Sequence, residues 1–156
     1  MLPSTNGSYL LHYFLDEPRV IEVGRLGTFQ FPAGHYYYCG SAHGPGGLAA
    51  RLGRHLRTEK RLHWHIDYFA RAARLLEIFY VIESGENGNW ECAASAALAQ
   101  ISGAWLPARG FGARDCRSGC GAHLIGLNSA VWVNLPLFKD LSTEDGVLIS
   151  AKTGLD

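Results

Sequence analysis

In RLGRHLR, residues 51–57, Arg51 and His55 stand four positions apart, which on a helix stacks them on one face. A guanidinium presents a planar fork of donors that matches a phosphate group. Glu91, placed early in a later helical segment, offers a hard oxygen of the kind Mg²⁺ or Mn²⁺ takes, with few protein ligands and several waters. Just upstream of the arginines, Tyr36, Tyr37 and Tyr38 run into Cys39 and Gly40. A tyrosine serves as a base only where positive charge, a cation or Arg51, lowers its proton affinity. Phosphodiester hydrolysis needs this set: a proton acceptor for water, positive charge for the phosphoryl oxygens, and usually a divalent cation. Each residue alone has a plainer reading. The tyrosines suit a strand, Arg51 suits a surface, and Glu91 suits a helix N-terminus. Their order along one chain is what points to a phosphate site.

The elements that must position these residues can be read from periodicity. SYLLHYFL, 8–15, is a short aromatic and aliphatic run that predicts a strand, and DEPR, 16–19, is a turn. VIEVGRLGTFQF, 20–31, predicts a hairpin pair or a strand broken at glycine. HYYYCGSA, 35–42, is a further strand, in which Tyr36 and Tyr38 share a face and Tyr37 takes the other. GPGG, 44–47, is a loop. From Leu48 the pattern turns helical, with Leu48, Ala49, Leu52 and Leu56 on the expected core arc. Arg54, Arg57 and Arg61 fall farther round, as an outer electrostatic rim. WHIDYFARAA, 64–73, predicts a short helix, and LLEIFYVIE, 75–83, a central strand. ENGN, 86–89, is a turn, and Asn89 is the expected N-cap of a helix WECAASAALAQIS that ends at Gly103. A long Gly- and Arg-rich loop leads to a strand HLIGL, 123–127, and VLIS near the end is a candidate last strand. Strands first, then helices alternating with strands, predict an α+β fold. One domain over 1–156 is expected, with its core at about 7–127 and an extension from 128 to 156.

Apolar residues make up 47% of the 156, enough for one sizeable core, and no run approaches the roughly 18 apolar residues of a membrane span. The start MLPSTNGSY does not read as a signal peptide, so a cytoplasmic protein without a membrane partner is expected. Net charge is zero with histidines neutral, so nucleic-acid binding must rest on a local patch. RLGRHLRTEKR, 51–61, is that patch: Arg51, Arg54, Arg57, Lys60 and Arg61 are five of the fourteen Lys and Arg.

Two other groupings bear on chemistry. In His63-Trp64-His65-Ile66-Asp67 an H-x-H pair could ligate a metal with Asp67 orienting a histidine. A structural Trp64 with supporting His65 and Asp67 is the favoured reading. Cys116, Cys120 and His123 follow a C-x3-C-x2-H spacing, and with Cys92 they make four soft ligands suited to zinc. Buried thiols, or a Cys116–Cys120 contact in a tight loop, are the favoured reading over zinc. The loop arginines Arg109, Arg114 and Arg117 either contact a nucleic-acid backbone or are solvated.

GSY at 7–9, YCG at 38–40, R-x-x-R-H at 51–55, His63 and the helical Glu91 together resemble the GIY-YIG nuclease family. GRLGTFQFPAGHYYYCGSA, GGLAARLGRHLR and HWHIDYF resemble, more narrowly, an uncharacterised subgroup sometimes fused to endonuclease III-type DNA glycosylases. The likeness covers roughly residues 7–127. It implies a small antiparallel sheet flanked by helices. Tyr9 and Tyr38 would help activate water, Arg51 would bind the scissile phosphate, His55 would carry a proton or touch phosphate, and His63 would be a neighbouring member. Glu91 would hold one Mg²⁺ or Mn²⁺. Arg54, Arg57, Lys60 and Arg61 are the candidate DNA contacts. Serine and cysteine replace the family's central isoleucines. The wide gap between Tyr9 and Tyr38 implies an extra hairpin, and Asn128 is the candidate for the family's closing asparagine. The resemblance implies a metal-dependent DNA endonuclease, with damaged, structured or single-stranded DNA as substrate and a link to DNA repair. A catalytically inactive nucleic-acid-binding module on the same scaffold is the alternative.

Overall fold

The computed structural model describes residues 2–83, 90–114 and 116–130 in full and the backbone of residues 146–149. The elements run β1 (Gly7–Leu15), β2 (Arg19–Val23), β3 (Gly27–Phe31), β4 (Gly34–Ala42), α1 (Gly47–Leu56), α2 (His65–Ala70), β5 (Arg74–Ile82), α3 (Trp90–Ala99), β6 (Leu124–Leu127) and β7 (Gly146–Ile149). The fold is α+β. A five-stranded sheet has the order β6-β4-β1-β5-β7, with every neighbouring pair antiparallel, and β2 and β3 form a separate ribbon. The expected turn at 86–89 and the N-cap Asn89 lie outside the described residues.

β1 is buried at nearly every position, Ser8 and His12 included, because both faces of the sheet are covered. Tyr9, Leu11, Tyr13, Tyr36 and Tyr38 join Leu48 and Leu52 of α1 and Ile66 and Phe69 of α2 in one core. Leu10, Tyr37, Cys39, Phe79 and Val81 join Ala94 and Leu98 of α3 in the other. The three consecutive tyrosines therefore split by strand alternation, with Tyr37 facing α3.

The expected extra hairpin is β2–β3. Gly24 sits at φ 49, a left-handed conformation that lets the chain reverse, and the Leu26 amide closes the turn on the Val23 carbonyl at 2.9 Å. The core face of α1 differs from expectation. Leu56 is 43% exposed, and His55 is buried at 4%. Counted from Leu48 at about 100° per residue, position 55 returns to within about 20° of the same line, whereas position 56 lies about 80° away. A histidine thus occupies the inward position that a hydrophobic pattern assigns to leucine. None of the helices among the described residues is long and apolar enough to cross a membrane.

Candidate functional site

The site grows from the pairing of β1 with β4. Tyr9 lies opposite Gly40 in the register, and its ring crosses that glycine. A Cβ at position 40 would stand 2.5 Å from the Tyr9 ring and hydroxyl, so the glycine of YCG is what gives the phenol its place. Crossing Gly40 carries the Tyr9 hydroxyl to α1, where it lies 2.8 Å from His55 Nε2. Tyr38, on the same face, lies with its ring centroid 6.5 Å from Tyr9 and 6.2 Å from His55. The long loop closes over Tyr38 at Gly112, whose φ of 68 and contact with the ring both require the missing side chain.

Burial governs the protonation of this cluster. His55 is held down at about 3, first by desolvation and next by the positive charge of Lys60. It is therefore neutral at neutral pH, and with its ring proton on Nδ1 its Nε2 accepts a hydrogen bond from the Tyr9 hydroxyl. Tyr9 is raised well above an ordinary phenol, mainly by burial and then by Tyr38, and Arg51 opposes this only in part. Tyr38 is raised in the same way, by burial first and then by Glu91. The lowering by Arg51 is outweighed, and both phenols keep their protons in the free protein.

Arg51 is half-buried, with its guanidinium 4.5 Å from the centroid of the Trp64 ring. Among the described residues it makes no ion pair or hydrogen bond, so its donors stand available beside Tyr9 and His55. Glu91, in the first turn of α3, hydrogen-bonds Ser41 at the end of β4. Its carboxyl is raised, mainly by burial and further by Glu83, whereas Ser41, His43 and Arg51 pull it down. Glu83 itself pairs with His43 Nε2 at 3.0 Å. A half-buried carboxylate with a second carboxylate near it is a hard donor set short of positive charge. That chemistry fits a divalent cation held by Glu91, with Glu83 close by.

Several expected members stand elsewhere. Arg54, expected on the outer rim, grips the fully buried Asp67 with both guanidinium nitrogens, at 2.8 and 2.7 Å, and lies 4.0 Å over Trp64. Lys60 is turned inward onto the carbonyls of Arg54 and His55, at 3.3 and 3.2 Å, closing the end of α1. Both are committed within the fold. Arg57 and Arg61 are exposed, as expected of DNA contacts, and line an open groove with His63. His63 is exposed, its ring tilted at 52° to that of Trp64, and among the described residues it makes no hydrogen bond or ring contact with Tyr9 or His55. His65 is structural: its Nδ1 accepts the Gly112 amide at 2.9 Å, tying α2 to the long loop. Asp67 also accepts the amides of His63 and Trp64, which anchors the start of α2. Asn128 follows β6 directly and is exposed.

Sequence reasoning missed Glu83, His43 and Ser41, whose only signal was position at a strand end. It also missed a polar chain on the α3 face of the sheet, where His12 bridges Glu77 at 2.9 Å and His35 at 2.8 Å beneath a stacked Tyr37. Cys92 of α3 and Cys116, Cys120 and His123 of the long loop bring their ligand atoms within 4.8 Å of one another.

The sequence matches the model of a family described as "Domain of unknown function DUF123" over residues 8–137, and the chain belongs to that family. Neither the curated proteins nor the solved structures contain a match.

Proposed function

We propose that this DUF123 domain is a metal-dependent endonuclease that hydrolyses phosphodiester bonds in DNA, as its resemblance to the GIY-YIG nucleases implies. One observation carries the reading. Residues 46 positions apart are joined by the 2.8 Å contact between the Tyr9 hydroxyl and His55 Nε2, beside an arginine with free donors. Arg51 grips the non-bridging oxygens of the scissile phosphate with its planar fork. The Tyr9 hydroxyl orients the attacking water, and His55 takes up the proton that Tyr9 releases. The negative charge of a bound phosphate strengthens His55 as a base, reversing part of the depression caused by burial and Lys60. Glu91, with Glu83 beside it, is the side chain that would hold the divalent cation. When bound, that cation supplies positive charge to the phosphoryl oxygens and acidity to a water. Arg57 and Arg61 hold the flanking backbone.

The test is cleavage of labelled single-stranded, duplex, flapped and abasic DNA with Mn²⁺ and with Mg²⁺. The parent cuts, and Arg51→Ala and Glu91→Ala do not. Absence of cutting by the parent under every condition defeats the reading.

The burial that keeps Tyr9 and Tyr38 protonated favours a second reading, a non-catalytic nucleic-acid-binding module. Such a module binds DNA without metal and with a steep salt dependence, because phosphate contacts release counterions. It binds equally well after Glu91→Ala.

A further inference from the structure

We propose that Cys92, Cys116, Cys120 and His123 form a structural zinc site that clamps the long loop to α3. The four ligand atoms all lie within 4.8 Å of one another. Cys92 Sγ is 3.6 Å from Cys116 Sγ and 3.8 Å from His123 Nε2. Tetrahedral zinc with Zn–S near 2.3 Å and Zn–N near 2.0 Å places sulfurs about 3.8 Å apart and sulfur and nitrogen about 3.6 Å apart. The two edges at Cys92 match such a tetrahedron to within about 0.3 Å, and the other ligand atoms need only close in from at most 4.8 Å. They are also far longer than the roughly 2.05 Å of a disulfide.

The surroundings of Cys116 suit a thiolate. The backbone N–H groups of Ser118 and Cys120 point at Cys116 Sγ. Such donors stabilise a sulfur that carries negative charge. His123 is nearly fully buried and is oriented for ligation: Nε2 faces the sulfurs, and Nδ1 faces Glu91 Oε2 at 3.9 Å. A carboxylate on the side of the second nitrogen is the usual neighbour of a ligating histidine, here at ion-pair rather than hydrogen-bond distance.

The fold gives the site a purpose. Residues 100–123 connect α3 to β6, and the described residues among them form no helix or strand. Yet they supply Ala108, Phe111 and Ala122 to the core on the far side of the sheet. A connection this long needs a staple to hold its backbone in one place. Cys92 adjoins Glu91, so the zinc fixes both the loop and the helix start that presents Glu91. The site stands on its own whether or not the protein cuts DNA.

The test is metal analysis of protein expressed in zinc-supplemented medium and purified under reducing conditions without chelator. One zinc per chain is expected, with the zinc retained on dialysis against EDTA and released when the thiols are titrated with a mercurial. Cys116→Ser is expected to lower the zinc content at least tenfold, while Cys39→Ala, a buried thiol on β4 outside the cluster, keeps it. Should Cys116→Ser fail to fold, Co²⁺ exchange into the parent gives the same answer. The visible bands and thiolate charge-transfer absorption of tetrahedral cobalt are expected. Zinc below a tenth per chain, zinc lost on dialysis, iron in its place, or Co²⁺ spectra of octahedral oxygen ligation overturn the proposal.

Discussion

Lowering the pH should destabilise this protein through His55 before its carboxylates are titrated. In the unfolded chain the imidazole binds its proton near 6.5, and in the folded protein only near 3, because it is buried beside Lys60, Arg54 and Arg51. Between those values the unfolded chain holds more protons, so stability falls as pH falls, and above 6.5 the group has no effect. Each pH step below 6.5 costs about 1.4 kcal/mol, so His55 alone removes about 2 kcal/mol between pH 7.5 and pH 5. His55→Gln preserves bulk and a hydrogen-bonding end but cannot titrate. Urea unfolding of both proteins across this range is the assay. The parent should lose about 2 kcal/mol more than the variant, while the other histidines contribute equally to both and cancel. Parallel pH curves would mean that His55 takes up its proton as readily in the fold as in the unfolded chain, near 6.5 and not near 3. Burial would then not govern its protonation, and the relay would lose that support.

Other consequences follow from single contacts. Gly40→Ala should destabilise the fold by about 1–3 kcal/mol, read as a lowered Tm, because the new methyl must displace the Tyr9 ring. Asp67→Ala should cost about 3 kcal/mol or more in chemical denaturation, since it leaves Arg54 and Lys60 facing each other without their carboxylate. Asp67→Asn should recover part of that loss by keeping the two amide contacts at the start of α2. Arg57→Ala and Arg61→Ala should each reduce the salt slope of DNA binding by about one, measured by titrations at several salt concentrations. Arg54→Ala should act chiefly through stability, because its guanidinium is spent on Asp67.

The fold was legible where pattern and burial coincide. Strand alternation separated Tyr36 and Tyr38 from Tyr37, and the glycines of VGRLG marked the β2–β3 turn. What escaped was set by tertiary pairing. A hydrophobicity pattern assigns Leu56 to the core and leaves His55 at its edge, yet the helix turns His55 inward, where Tyr9 offers a partner that no local signal reveals. Arg54, Arg57, Lys60 and Arg61 look alike in sequence. Only the buried Asp67 and the end of α1 distinguish the two that face inward. Glu83 approaches Glu91 because β5 ends beside β1 near Gly7, a relation that exists only in the sheet register. The cysteine cluster escaped a strong reading because its fourth ligand comes from α3, well before the loop that supplies the rest.

The most direct test of the central claim is single-turnover cleavage of labelled DNA in Mn²⁺ by the parent, Tyr9→Phe and Glu91→Gln. The account predicts metal-dependent cutting by the parent, cutting reduced about 10²–10⁴-fold in Tyr9→Phe as expected for a proton-transfer group, and no cutting by Glu91→Gln. Undiminished cutting by Glu91→Gln, or a parent that binds DNA and never cuts it, would contradict it.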